Sequence, residues 1–361
     1  MKQIRSVIVG SGSHIPPVVV PNDAFLNHRF LGPDRKPIAK TNTEILRQFE
    51  EITGIRERRY AAEGTVTSDL ALDAARKALQ SSGIDGETLD YIIVAHNFGD
   101  VRVHGARSDL VPSLAARVKS RLQIENPATV AMDLVFGCPG WLQGVIQADY
   151  MIRSGDVRRA MIIGAETLSR VSDPHDRDSL IYSDGAGAVI LEGRETSEAV
   201  GILSHTVRSD TLDHASMLFM GGSFNESAFL ESLFLKMEGR KLYRYALSTV
   251  AGGMKQSLDK AGVDLRQVSR ILIHQANGKM DQAILEALYE LYGMDVPSET
   301  VMPMTISWLG NSSVATIPTL YDLIIKGEMN GQTFAPGDTM VFASVGAGMN
   351  INAAVYRVPG E

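Results

Sequence analysis

Residues 77–95 read KALQSSGIDGETLDYIIVA, and residues 256–274 read QSLDKAGVDLRQVSRILIH. Both stretches end a helical pattern at Ser-Gly or Ala-Gly, continue with a β-branched residue and Asp, and close on an apolar, strand-type run. They lie about half of the 361-residue chain apart. A second pair follows in the same order. GCPGWLQGVIQADYMIRSGDVRRAMIIGAE (137–166) parallels GNSSVATIPTLYDLIIKGEMNGQTFAPGDTMVFASVGAG (310–348), each with a helix begun at Gly, a glycine stop and a closing strand. One such match could arise from the shared composition of helix–strand units. Two in order point to a duplicated fold with halves 1–195 and 196–361.

Elsewhere the pattern is consistent. Short β-branched runs (VIVG at 7–10, YIIVA at 91–95, MVFASVGAG at 340–348) alternate with amphipathic stretches such as 68–82. Strands alternating with helices predict an α/β fold with mainly parallel sheets. A hydrophobic content of 44% suffices for a large core and excludes wholesale disorder. With 35 basic and 42 acidic residues the net charge is −7, which disfavours general nucleic-acid binding. No run approaches the roughly 18–20 apolar residues of a membrane helix. The first apolar stretch is too short and glycine-broken for a signal peptide, so a cytoplasmic location is expected. Cys138 is the single cysteine, so neither an intramolecular disulfide nor a multi-cysteine metal site can form.

The repeat also directs attention to particular side chains. Cys138 and Asn311 fall at nearly equivalent places, each where a loop enters a helix after Gly, and His274 closes the second-half strand whose counterpart ends at Ala95. Pro139 occupies the expected first helical position, so the Cys138 thiol sits near a helix N-terminus, where the dipole favours thiolate. A buried structural cysteine is the competing reading. His274 ends an apolar strand at its carboxyl end, where α/β sheets place ligands, and a neutral imidazole there can deprotonate a thiol or stabilise an oxyanion. Asn311 could cap a helix, aim an amide into a cleft, or do both. The order Cys, His, Asn also occurs in papain-like peptidases, but their signature around the cysteine is absent here. YSDGAGAVIL (182–191) lacks the Lys-Ser/Thr of a phosphate loop and reads as a turn followed by a tightly packed strand.

Several stretches together carry a family resemblance: GSGSHIPPVVVPN, TGIRERRYA, DLVFGCPGW, SDPHDRDSLIYSDGAGAVIL, HQANGKM, LGNSSVATIP and VGAGMNINAAVYR. They run nearly end to end, and the chain resembles a β-ketoacyl-acyl-carrier-protein synthase III, a thiolase-fold condensing enzyme. The resemblance implies a duplicated α-β-α-β-α five-layer fold. By similarity, Cys138 becomes S-acylated from an acyl thioester. His274 and Asn311 stabilise the enolate formed when a malonyl-type thioester decarboxylates, and the backbone N–H groups of Cys138 and Gly346 form the second oxyanion hole. Arg177 and Asn277 match positions along the pantetheine channel. The family implies a homodimer, an acyl carrier protein as partner, acyl thioesters as substrates, and no metal or redox cofactor.

Residues 236–279 carry nine Lys/Arg and three acids in a protein of net charge −7. Solvated helix faces would explain this; so would a docking patch for an acidic carrier protein, centred on Lys236, Arg240, Lys241, Arg244 and Lys279. The chain also departs from the family pattern. Gln48 and Ile52 replace the Trp and Arg that sandwich the adenine of coenzyme A, which favours a carrier-borne or unusual donor. Val111 replaces an aromatic of the cross-subunit acyl wall, predicting a roomier pocket. The segment 96–109 and the apolar stretch 205–235 are longer than usual. These departures keep alternatives open: joining of two long acyl or β-ketoacyl thioesters, as in dialkylresorcinol or aryl-polyene pathways, or acyl transfer to oxygen or nitrogen without decarboxylation. A silent partner subunit would have lost the nucleophile.

Overall fold

A computed structural model describes residues 2–103, 107–227, 232–297 and 301–360. The two opening stretches fold alike, for identifiable reasons. Helix Thr67–Ser82 stops at Gly83 with φ 67°, and helix Gly239–Ala261 stops at Gly262 with φ 65°. Both are left-handed caps that glycine adopts without steric cost. The aspartate two residues on then caps a short 3-10 turn: Asp85 accepts from the Glu87 N–H and Asp264 from the Arg266 N–H. Strands Tyr91–His96 and Val268–Ile273 follow.

The duplication extends to the sheets. The first has the order Gln3–His14, Asp184–Thr196, Arg159–Thr167, Tyr91–His96, Val130–Val135. The second has the order Gly201–Ser209, Asn350–Arg357, Thr339–Gly346, Val268–Ile273. Read from the same edge, the two orders correspond strand for strand, and only Val130–Val135 has no counterpart. The sheets are mixed rather than mainly parallel. Tyr91–His96 runs parallel to both its neighbours, and Val268–Ile273 runs parallel to Thr339–Gly346, whereas the remaining pairs are antiparallel. The reason is connection length. Between Gly346 and Asn350 the chain has no room for a crossover helix, so Asn350–Arg357 must fold back as a hairpin.

Helices Gly140–Ser154 and Thr316–Ile325 lie between the sheets, in a core that includes Trp141, Val145, Ile162, Val189, Leu272, Phe342 and Tyr356. Helices Thr67–Ser82 and Leu114–Arg121 cover the outer face of the first sheet, and Gly239–Ala261 with Gly278–Glu290 cover that of the second. This is a five-layer α-β-α-β-α fold. Alternate residues of one strand serve different layers: Leu272 points to the middle, Ile271 and Ile273 outward. Both faces are buried, so the strands read as continuous apolar runs. Within YSDGAGAVIL, a Cβ on Gly187 would lie 2.7 Å from the Thr319 nitrogen. That glycine lets a helix approach the sheet, the packing role read from the sequence. Among the described residues no helix is long and apolar enough to cross a membrane.

Candidate active site

Cys138 follows a loop that leaves strand Val130–Val135. Helix Gly140–Ser154 begins one residue later than the sequence suggested, with Pro139 as its cap. Cys138 is half-buried as a residue, and its thiol is free. The expected preference for thiolate does not hold in the resting chain. Burial pushes the Cys138 thiol up to about 11, a hydrogen bond from the Ser313 side chain opposes this, and the nearby Glu166 charge adds to it. Desolvation of a compact anion outweighs the helix dipole here.

His274 continues strand Val268–Ile273, held by its N–H donating to the Ala343 carbonyl at 2.8 Å. The side chain is buried, and burial holds its pKa down to about 4, against a smaller opposing effect of the Ser313 backbone. The ring is therefore neutral near pH 7 and can donate or accept one proton without carrying a charge. Asn311 is buried, its backbone tied to Ile181 and Ser183. Its Oδ1 accepts the Ser313 N–H at 2.8 Å, which leaves Nδ2 as a free donor among the described residues.

Ser313 is thus the common neighbour of the three side chains expected to act together. It meets the Cys138 thiol through its hydroxyl, the His274 ring through its backbone, and Asn311 through its N–H. It is also one of three non-glycine residues with positive φ among the described residues, at 53°, a strain that folded chains tolerate where a site requires it. The Gly346 backbone presses on Cys138, since a Cβ at Gly346 would lie 2.6 Å from the Cys138 nitrogen. The two backbones can approach this closely only because position 346 lacks a side chain.

A cleft of about 2030 Å³ opens from the surface toward Ala276 and Asn277, just beyond His274. Arg177 and Asn277 both line it, as expected for channel residues, although the Asn277 Oδ1 is engaged in capping the next helix through the Met280 N–H at 3.1 Å. Arg240, Lys241 and Arg244 line the same cleft. Lys279 is exposed but borders a separate shallow recess beside Ile52.

One expectation needs correction. Lys236 is no docking residue: it is 4% exposed, and its Nζ lies 2.6 Å from Asp173 and 3.0 Å from Asp176, 3.5 Å from the Phe224 ring centroid. Its charge is already neutralised inside the protein. Val111 is 86% exposed in the single chain, so a contact with an acyl chain would be made across a subunit interface. The two long insertions fall partly outside the described residues, at 104–106 and 228–231. The described part of the second forms the hairpin Leu218–Gly222 and Leu233–Met237, whose Phe219 and Leu233 line the cleft.

Comparison with known proteins fits this geometry. Residues 132–211 match 3-oxoacyl-[acyl-carrier-protein (ACP)] synthase III, and residues 258–358 match the C-terminal region of the same family. A β-ketoacyl-[acyl-carrier-protein] synthase III of Novosphingobium aromaticivorans is 33% identical, over 98% of this chain and 99% of the relative. The chain belongs to the 3-oxoacyl-[acyl-carrier-protein] synthase III family. The crystal structure of the Aquifex aeolicus synthase III has a TM-score of 0.77 at 27% identity, covering 98% of this chain and 99% of that one. The fold is also that of the priming β-ketosynthase of the R1128 polyketide pathway, at a TM-score of 0.80 and 24% identity over 99% of this chain and 98% of that one.

Sequence reasoning missed several residues of this synthase III site. Behind Cys138, Glu166 is buried and Asn97 half-buried, and both Asn97 nitrogens donate to Glu166. Nothing local marks them, because a single polar residue at the end of an apolar strand gives no periodic signal. The loop 31–40 places Arg35, Lys36 and Lys40 at the cleft mouth. Their basic run was visible; their position was not, since the loop reaches the mouth only through tertiary packing.

Proposed function

We propose that this synthase III family member forms a carbon–carbon bond between two acyl thioesters, with Cys138 as the acyl carrier, in fatty acid or polyketide biosynthesis. The convergence of the Cys138, His274 and Asn311 contacts on Ser313 supports this reading more than any other observation. In the first step the Cys138 sulfur bonds to the acyl carbon as the donor C–S bond breaks. The Cys138 thiol proton ends on the departing thiol. In the second, a malonyl-type thioester loses CO₂, and the released electron pair becomes an enolate whose oxygen meets donors on His274 and Asn311. The enolate carbon then attacks the acyl-Cys138 carbonyl. That oxyanion is held by the Cys138 and Gly346 N–H groups until the thiolate leaves.

A carrier-borne donor is the finer reading. Gln48 lines the cleft but is already engaged by Lys40 at 2.7 Å, and Ile52 beside it is aliphatic, so neither offers a flat face for an adenine. Arg35, Lys36, Arg177, Arg240 and Arg244 ring the same opening, suiting an acidic carrier and the phosphate of its prosthetic arm. A second copy of the chain fits the edge strand Val130–Val135, which pairs on one side only and exposes Val135 by 64%. Val111 would then lie where a partner's acyl chain could reach it. The expected compartment is the cytoplasm.

Product analysis tests the reading. An acyl-carrier thioester and a malonyl thioester should yield CO₂ and a 3-oxoacyl thioester two carbons longer than the primer, at a rate that falls as salt rises. Transfer of the acyl group to an alcohol or amine, with no CO₂ released, would contradict it.

A further inference from the structure

Behind the nucleophile runs a directed chain of hydrogen bonds that the condensation itself does not use. Glu166 ends strand Arg159–Thr167 and is 1% exposed. Its Oε1 accepts both the Asn97 backbone N–H, at 2.8 Å, and the Asn97 side-chain amide. A carboxylate only accepts, so the Asn97 NH₂ must face it, which fixes the orientation of the amide. The same NH₂ has a second hydrogen, directed at Ser313 Oγ at 3.2 Å. Ser313 Oγ is then an acceptor toward Asn97, and its own proton is left to point at the Cys138 sulfur. Donation diverges from Asn97, toward the carboxylate on one side and toward the Ser313 oxygen on the other, and the hydroxyl proton remains for the sulfur.

We propose that Glu166, acting through Asn97 and the Ser313 hydroxyl, is a positioning residue that orients the hydrogen bond received by the Cys138 sulfur and thereby sets the pH at which the thiol reacts. The inference rests on the reading of Cys138 as the acylated residue. Two opposing effects meet at the sulfur. The aimed Ser313 hydroxyl favours thiolate, whereas the Glu166 charge disfavours it. Burial, the largest effect on Glu166, pushes its carboxyl up to about 7, partly offset by the Asn97 side chain. The other ionisable groups facing these atoms are His274 and Tyr182 at the thiol, and His96 and Asp184 at Glu166. None of them is altered by the variants below.

Because Cys138 is the only cysteine, alkylation by iodoacetamide, followed by intact mass from pH 6 to pH 10, reports on this thiol alone and needs no acyl donor. Ser313→Gly keeps the left-handed backbone without strain and removes the hydroxyl. It should move the alkylation profile alkaline by about one pH unit, roughly tenfold slower at a given pH. Asn97→Ala should move it the same way by less. Glu166→Gln keeps an acceptor for Asn97 and removes the charge, so its profile should move acidward and lose the bend near pH 7. Opposite shifts from neighbouring buried residues are not what loosened packing produces. Profiles that coincide with the unmodified protein, or three variants shifting the same way, would overturn the relay. Acyl loading of the unmodified protein tests the nucleophile reading separately.

Discussion

His274→Ala and Asn311→Ala should each lower decarboxylative condensation by about 10²–10³-fold, the cost of removing one oxyanion donor from a preorganised site. Acyl transfer to Cys138 should fall much less, because in the proposed mechanism its oxyanion meets the backbone N–H groups of Cys138 and Gly346, which neither substitution removes. The neutral state of His274 matters here. Burial keeps its pKa near about 4, so the ring can donate to an enolate at pH 7 without a charge of its own. Stopped-flow release of CO₂, compared with mass-detected loading of the enzyme, separates the two steps. Equal loss of both would show that His274 serves the thiol instead, and the division of roles would fail.

Lys236→Met should destabilise the protein by about 3–5 kcal/mol near pH 7, because it leaves two carboxylates buried without their cation. Asp173 and Asp176 share that lysine, and Asp173 also accepts the Ser223 hydroxyl and the Phe224 N–H, each at 2.9 Å. The cluster fastens the hairpin wall of the cleft to the 173–181 segment. Burial pushes the Asp173 carboxyl up, but Lys236 and the backbone N–H groups outweigh it and hold the pKa below the ordinary value. A carboxyl with a lowered folded pKa contributes stability that is present above its unfolded pKa and is lost as pH falls through the folded one. The gap between variant and unmodified protein should therefore narrow in acid. Urea unfolding at pH 7 and at about pH 3, below the unfolded carboxyl pKa, measures it. A loss below about 1 kcal/mol, with weakened carrier binding instead, would return Lys236 to the role its sequence context suggested.

That reversal marks the boundary of what the sequence made legible. The duplicated fold could be read because each unit carries local punctuation: Gly83 and Gly262 stop helices, and Asp85 and Asp264 cap the turns that follow. Cys138, His274 and Asn311 stood out as candidates because each sits where one kind of element ends. Strand direction could not be read, since nothing in VFASVGAGMNINAAVYR distinguishes a hairpin from a crossover except the brevity of the link. Charge was the least legible property. A lysine in a basic run looks like a surface group until Asp173 and Asp176, about sixty residues earlier, are folded against it. The thiol followed the same rule: its helix start argued for thiolate, and burial, which sequence does not display, reversed the sign.

The central claim is that Cys138 carries the acyl group. Intact-protein mass spectrometry after incubation with acyl-carrier and acyl-coenzyme A donors of graded chain length tests it most directly. One acyl mass should be added, mapping to the peptide containing Cys138, faster from the carrier-borne donors, and Cys138→Ala should remain unmodified. An unmodified wild-type enzyme after every donor, or an acyl group found on any other residue, would contradict the account.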